Sequence, residues 1–162
     1  MKGIITGIEE LVVKEIGKDK ASKDLVTKIF SEEDLDEPFE NILEEDMDKY
    51  TSVEALKENL KEELPRAFEK VIMDYLTEFT LLGEDGYMKV YSMKKEENKR
   101  IAFEILKEDV ELYKEIYDTF KESLKCILSG MVIEKENPQG DEYEDRWEEL
   151  YDMNLEDVIN LL

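Results

Sequence analysis

The reactive groups of this chain are lopsided: 44 aspartates and glutamates, one cysteine, eight tyrosines and no histidine in 162 residues. A carboxylate pair can share acid and base roles, but among so many the sequence singles out no two. Nucleophilic catalysis lacks its parts, because neither a serine nor Cys126 has an imidazole base and no glycine-rich phosphate loop follows a strand. The runs Glu44-Glu45-Asp46 and Asp141, Glu142, Glu144, Asp145 could hold calcium or magnesium weakly. Neither has the alternating oxygen ligands and fixed glycine of an EF-hand loop. Zinc is disfavoured by a single cysteine without histidine. These runs therefore read as solvated faces, and no enzymatic activity is expected. Cys126, among Leu124, Ile127 and Leu128, reads as a small buried hydrophobe.

Such residues must be placed by elements, and hydrophobic spacing is the first guide to them. Ile4, Ile5, Ile8, Leu11, Val12 and Ile16 make one helical stripe over residues 3–16, with Gly17 as its stop. A second helix over 21–30 buries Leu25, Val26 and Ile29. Pro38 is expected to force Glu37 out of helical geometry, and Phe39, Ile42, Leu43, Met47 and Tyr50 mark the helix that follows. Thr51 with Glu54 reads as a capping box for a helix burying Val53, Leu56 and Leu60. Pro65 predicts a break or kink at Leu64, before a new helix with Phe68, Val71, Ile72 and Tyr75, reaching towards Phe79.

The period then changes. Residues 83–86 are turn chemistry, and Tyr87 to Met93 is rich in strand formers. Ile101, Phe103 and Ile105 alternate with polar neighbours, which predicts a partner strand to about Leu106 across a loop at 94–99. The same stretch also fits one long helix from near Lys99, because Phe103, Leu106, Val110, Tyr113, Tyr117, Phe120, Leu124, Ile127 and Met131 recur at threes and fours. The preferred reading is strand, then a helix capped by Asp109 and stopped at Gly130, then strand again at Met131-Val132-Ile133. Residues 137–140 read as a turn, 141–150 fits either an edge strand or a helix, and Asn154 caps a last helix.

Bulk properties bound the rest. The length suits one domain, and the 22 basic residues leave a net charge of −22, which argues against nucleic acid or an anionic membrane as partner. One cysteine excludes an internal disulfide and fits a reducing cytoplasm. No stretch reaches the roughly 18 apolar residues of a membrane span.

The order Met1-Lys2-Gly3-Ile4-Ile5-Thr6-Gly7, the apolar run closed by Gly17-Lys18-Asp19, and Pro38-Phe39-Glu40-Asn41-Ile42 before an acidic helix start resembles the N-terminal subdomain of the H-NOX family of haem-based gas sensors. The second half, with the loop Gln139-Gly140-Asp141-Glu142-Tyr143, is similar to the four-vinyl-reductase domain. The resemblance implies an α+β fold, with an N-terminal helical subdomain (residues 1–80) followed by an antiparallel sheet packed on a long helix (residues 81–162). It also implies that Ile5 stands where the family has a distal aliphatic residue, Pro38 where a proline presses on the macrocycle, and Phe79 at a distal aromatic. The family's proximal histidine, its helix and its Tyr-Ser-Arg propionate pattern have no counterpart, so no haem cofactor is expected unless Cys126 or a tyrosine serves as an unusual axial ligand.

Two functions follow as expectations. One is a haem-free sensory module in which a small apolar ligand, or a signalling protein partner, lodges against Ile5, Pro38, Phe79, Tyr113 and Tyr117 and biases the rotation of two subdomains. For Tyr113, Tyr117 and Phe120 the competing reading is plain core packing. The other function is an acidic protein-interaction module, such as a nucleic-acid mimic, that holds a basic protein surface. A homodimer is compatible with either.

Overall fold

A computed structural model describes residues 14–15, 23–31, 34–82 and 86–162 of the chain. In order these form β1 (Lys14–Glu15), α1 (Lys23–Ser31), α2 (Asp36–Glu45), a 3-10 turn (Met47–Lys49), α3 (Val53–Glu58), α4 (Leu60–Thr77), β2 (Glu78–Leu82), β3 (Met88–Ser92), α5 (Glu96–Glu108), α6 (Val110–Glu136), α7 (Asp141–Asp152) and α8 (Leu155–Asn160). The fold is α+β, as the sequence predicts, with a small sheet whose β1 precedes α1 and whose β2 and β3 lie between α4 and α5, ahead of the long helix α6. Among the described residues no helix is long and apolar enough to cross a membrane. Two compact units divide the chain, each made of two separate stretches: Met1–Leu35 with Glu69–Ile116, and Asp36–Phe68 with Tyr117–Leu162.

In the first unit the strand order is β1-β3-β2. β2 and β3 run antiparallel, from Glu78 opposite Ser92 to Leu82 opposite Met88, and β1 lies parallel to β3 with Lys14 beside Tyr91. Phe79 and Leu81 turn inward from β2 at the strand period of two. The rings of Phe30, Tyr75, Phe79 and Tyr91 follow one another at centroid distances of 5.8, 6.2 and 6.0 Å. The Tyr75 hydroxyl donates to the Ile29 carbonyl at 3.4 Å, which satisfies its polar tip inside the core. Gly86, at φ +87°, supplies a backbone conformation in the hairpin loop that a side chain would strain.

The structure corrects the strand expected over 100–106, because β3 takes its partner from upstream and α5 occupies that stretch. Ile101, Phe103 and Ile105 satisfy both periods. Burial of Lys99, Ala102, Phe103 and Leu106 shows the helical one, helped by strong helix formers along the segment. Phe79 accordingly lies in β2 rather than at a helix end. The helix expected over 3–16 falls mostly outside the described residues, and the described pair Lys14–Glu15 is strand. The Gly17 stop also lies outside them.

In the second unit Phe39, Leu43, Leu56, Phe68, Phe120, Leu124, Leu128, Val132 and Leu150 are all but fully buried. Pro38 does not delay its helix. It is the third residue of α2, where a backbone N–H has no intrahelical partner to lose. The cap of α3 is Ser52, whose hydroxyl accepts from the Ala55 N–H at 3.1 Å, rather than Thr51. The Thr51 hydroxyl instead donates to Glu63 Oε2 at 2.9 Å. No break occurs at Leu64. The interruption is at Asn59 (φ −154°), and Pro65 sits inside α4, which continues to Thr77. The one backbone bond that Pro65 forfeits is outweighed by the burial of Ala67, Phe68, Val71, Ile72 and Leu76 along the helix.

Asp109 caps α6 as expected, its Oδ1 accepting from the Leu112 N–H at 3.2 Å. The helix then runs through Gly130 and absorbs the strand expected at 131–133, because Val132 and Ile133 continue the buried stripe. It ends where Asn137 takes a left-handed φ of 49° and its N–H bonds the Ile133 carbonyl at 2.7 Å. Asn is a natural residue for that position, and Pro138 bars continuation. Residues 141–150 are helical in α7, and Asn154 caps α8 as predicted, accepting from the Asp157 N–H at 2.8 Å.

Candidate functional site

A concave groove of about 930 Å³ opens in the second unit, at the upper end of the roughly 300–1,000 Å³ typical of ligand sites. Its walls follow from helical phase. On α2, Glu40, Leu43 and Glu44 share a face at spacings of three and four, and the 3-10 turn continues it with Met47 and Asp48. On α6, the stripe Leu124, Leu128 and Val132 goes to the core. Cys126, Gly130 and Glu134 lie two residues on from each of these, about 200° around the helix, and so line the groove with Ile127 and Met131. The lone tryptophan, Trp147 of α7, completes the lining, with Tyr143 set edge-on to it at 6.5 Å.

The lining is amphipathic. Leu43, Met47, Val53, Ile127, Met131 and Trp147 give an apolar floor, and Met131 is 39% exposed. Five carboxylates (Glu40, Glu44, Asp48, Glu54 and Glu134) stand around it, with no lysine or arginine among the lining residues. The bias extends beyond the groove. The second unit carries 24 acidic against 8 basic residues, a net −16, whereas the first carries 20 against 14, a net −6.

Cys126 is exposed in the groove wall, which corrects its reading as a buried hydrophobe. Its sequence neighbours Leu124 and Ile127 misled, because helical phase turns it away from Leu124. Desolvation in the concave wall pushes the thiol pKa up, and the charge of Glu40 and a hydrogen bond to it add to the shift, with smaller help from Glu44 and Asp36. The thiolate is the nucleophile, so iodoacetamide should alkylate Cys126 slowly at neutral pH, with a pH–rate midpoint above that of free cysteine. In Glu40→Gln the midpoint should fall and the neutral rate should rise. An unshifted profile in that variant would remove Glu40 as a cause.

The five residues expected to line an apolar pocket are distributed as follows. Ile5 lies outside the described residues. Phe79 is 3% exposed, stacked on Tyr91 in the first unit, and Tyr113 stands beside Phe103 at 6.3 Å in the same unit. Burial pushes the Tyr113 phenol up, Lys107 opposes this and Glu69 adds to it, so it stays protonated at neutral pH. Pro38 and Tyr117 belong to the second unit, where Tyr117 packs on Phe68 at 5.0 Å and is stacked with Phe120 at 6.3 Å. None of these described residues lines the groove.

The acidic runs hold no cluster either, since no three Cys, Asp or Glu side chains among the described residues converge as metal ligands. Next to the second run, Glu136 takes a bidentate pair from Arg146 at 2.7 and 2.9 Å, and this holds the Glu136 carboxyl below the usual carboxylate range. Sequence reasoning missed the groove residues. Their signal was faint: an acidic pair at i and i+4 on α2, and the only tryptophan set in an otherwise charged helix. No protein-family model matches the chain, and neither the curated proteins nor the solved structures include a match to it.

Proposed function

We propose that the protein is a non-enzymatic interaction module that holds a basic protein partner in the acidic groove of its second unit. The observation that carries this reading is the groove lining, with five carboxylates, no lysine or arginine among its described residues, and an apolar floor. Enclosing a purely apolar molecule there would strip water from carboxylates and return nothing to them. A cationic partner neutralises them instead. The net −16 of that unit would speed encounter with a positive surface and disfavour acidic competitors.

Trp147 gives a local readout. Titration with a lysine- and arginine-rich peptide of about 20 residues should change its fluorescence, with affinity falling steeply as salt rises, because exposed charges are screened within about 10 Å at 0.1 M. Glu40→Gln/Glu44→Gln/Asp48→Asn should weaken binding far more than the equal neutralisation Glu144→Gln/Glu148→Gln/Asp152→Asn on α7. Equal loss in the two triple variants would mean that net charge alone attracts the peptide, and the groove would lose its role. The sensory reading that the H-NOX resemblance implies makes the opposite forecast: uptake of an apolar ligand or tetrapyrrole, indifferent to salt and visible in the absorption spectrum of the purified protein.

A further inference from the structure

We infer that the groove of the second unit takes its basic partner as an amphipathic α-helix, with one large aliphatic or aromatic side chain on the floor beside Gly130, Met131 and Trp147. This deepens the proposed function and rests on it. The form of the partner follows from what the lining offers. Its backbone is helical or capping apart from the short turn, so no strand edge is available to extend. Recognition must then be made by side chains. Glu40 and Glu44 are one helical turn apart, and lysines at i and i+4 of a partner helix repeat at the same roughly 6 Å interval. Met47 and Met131 add flexible, polarisable surface that adapts to a knob of uncertain shape.

Gly130 points to an occupant independently of charge. In the interior of a 27-residue helix it costs roughly 1 kcal/mol relative to alanine. The fold does not require that loss: a Cβ built there meets only Trp147 Cη2 at 3.8 Å, an ordinary contact, and the residue has no positive φ. Nothing among the described residues explains the missing side chain. What it does is keep the groove floor open beside the tryptophan, where an incoming side chain would seat.

The probes are two 18-residue peptides of identical leucine and lysine content, one patterned at the helical period and one at strict alternation. Binding is followed by Trp147 fluorescence and peptide helicity by circular dichroism. The helical pattern should bind about tenfold more tightly or better, as a buried anchor does at interfaces, and should gain helix on binding. Gly130→Leu improves helix propensity while filling the floor, so it should keep the fold and lower affinity for the helical peptide about tenfold. Met131→Ser, which fills nothing, provides a second reading of the floor should the leucine variant misfold, and it should also weaken that peptide. Equal affinity for the two patterns, or indifference to both floor variants, overturns the inference. If binding remains salt-dependent and sensitive to the Glu40, Glu44 and Asp48 neutralisation, the interaction module survives that failure. If it is sensitive to neither, both ideas fall together.

Discussion

Phe120→Ala should lower the unfolding free energy by about 3–5 kcal/mol, the range for emptying an aromatic site in a core. Phe120 has no exposed surface and lies at the meeting point of the second unit's rings, with Phe68 at 5.3 Å and Phe39 edge-on at 6.5 Å. Those neighbours come from α2 and α4, so a void at Phe120 cannot close by shifting one helix alone. Typical domains have only about 5–15 kcal/mol in total, and a loss of this size would bring many of them close to unfolding. Urea denaturation followed by circular dichroism measures it as a lower midpoint. Phe120→Leu, which keeps most of the volume, should lose much less. A drop below about 1 kcal/mol for the alanine variant would show that the ring cluster is not the centre of that core.

Lys125→Met should remove about 2–3 kcal/mol. Lys125 is 8% exposed, yet its ammonium is well satisfied, donating to the carbonyls of Tyr151 at 2.8 Å and Met153 at 3.0 Å. It also pairs with Glu122 at 3.4 Å and lies 5.4 Å from the centre of the Tyr151 ring. A cation at the C-terminal carbonyls of α7 is favoured by the helix dipole, and hydrogen bonds from a charged donor are worth about 1.5–3 kcal/mol each before the cost of burying the charge. Methionine keeps the aliphatic stem and abandons the carbonyls. Amide exchange in α7 and α8 should therefore rise more than exchange in α2. Uniform exchange across the second unit would show that the lysine does not tie the end of α7.

The elements that were legible in the sequence are those with an unambiguous period or a cap. The apolar spacing of α6 from Tyr113 to Leu124, the Asp109 cap and the Asn154 cap all stand in the structure, although the buried stripe goes on through Leu128 and Val132 rather than Ile127 and Met131. The hairpin was half legible. Tyr87 to Met93 looked like a strand on its own, but its partner, Glu78–Leu82, was hidden because Phe79 also extends the helical spacing of α4. Gly130 and Pro65 are local helix breakers, and tertiary burial overrides that preference at each. The groove was illegible for a different reason. Its residues come from α2, the 3-10 turn, α3, α6 and α7, and a side chain's place in such a site depends on helical phase and on which helices meet. Cys126 shows how one residue's phase reverses its environment.

The discontinuous make-up of the second unit bears on how the chain matures. Its first portion, Asp36–Phe68, emerges from the ribosome well before its complement, Tyr117–Leu162. At ordinary synthesis rates the delay is roughly two to ten seconds. During it, Phe39, Leu43, Leu56 and Phe68, later buried, have no helix α6 to close over them. Over that interval the segment exposes apolar surface of the kind that associates when left uncovered, and its dense negative charge opposes such contact between like chains.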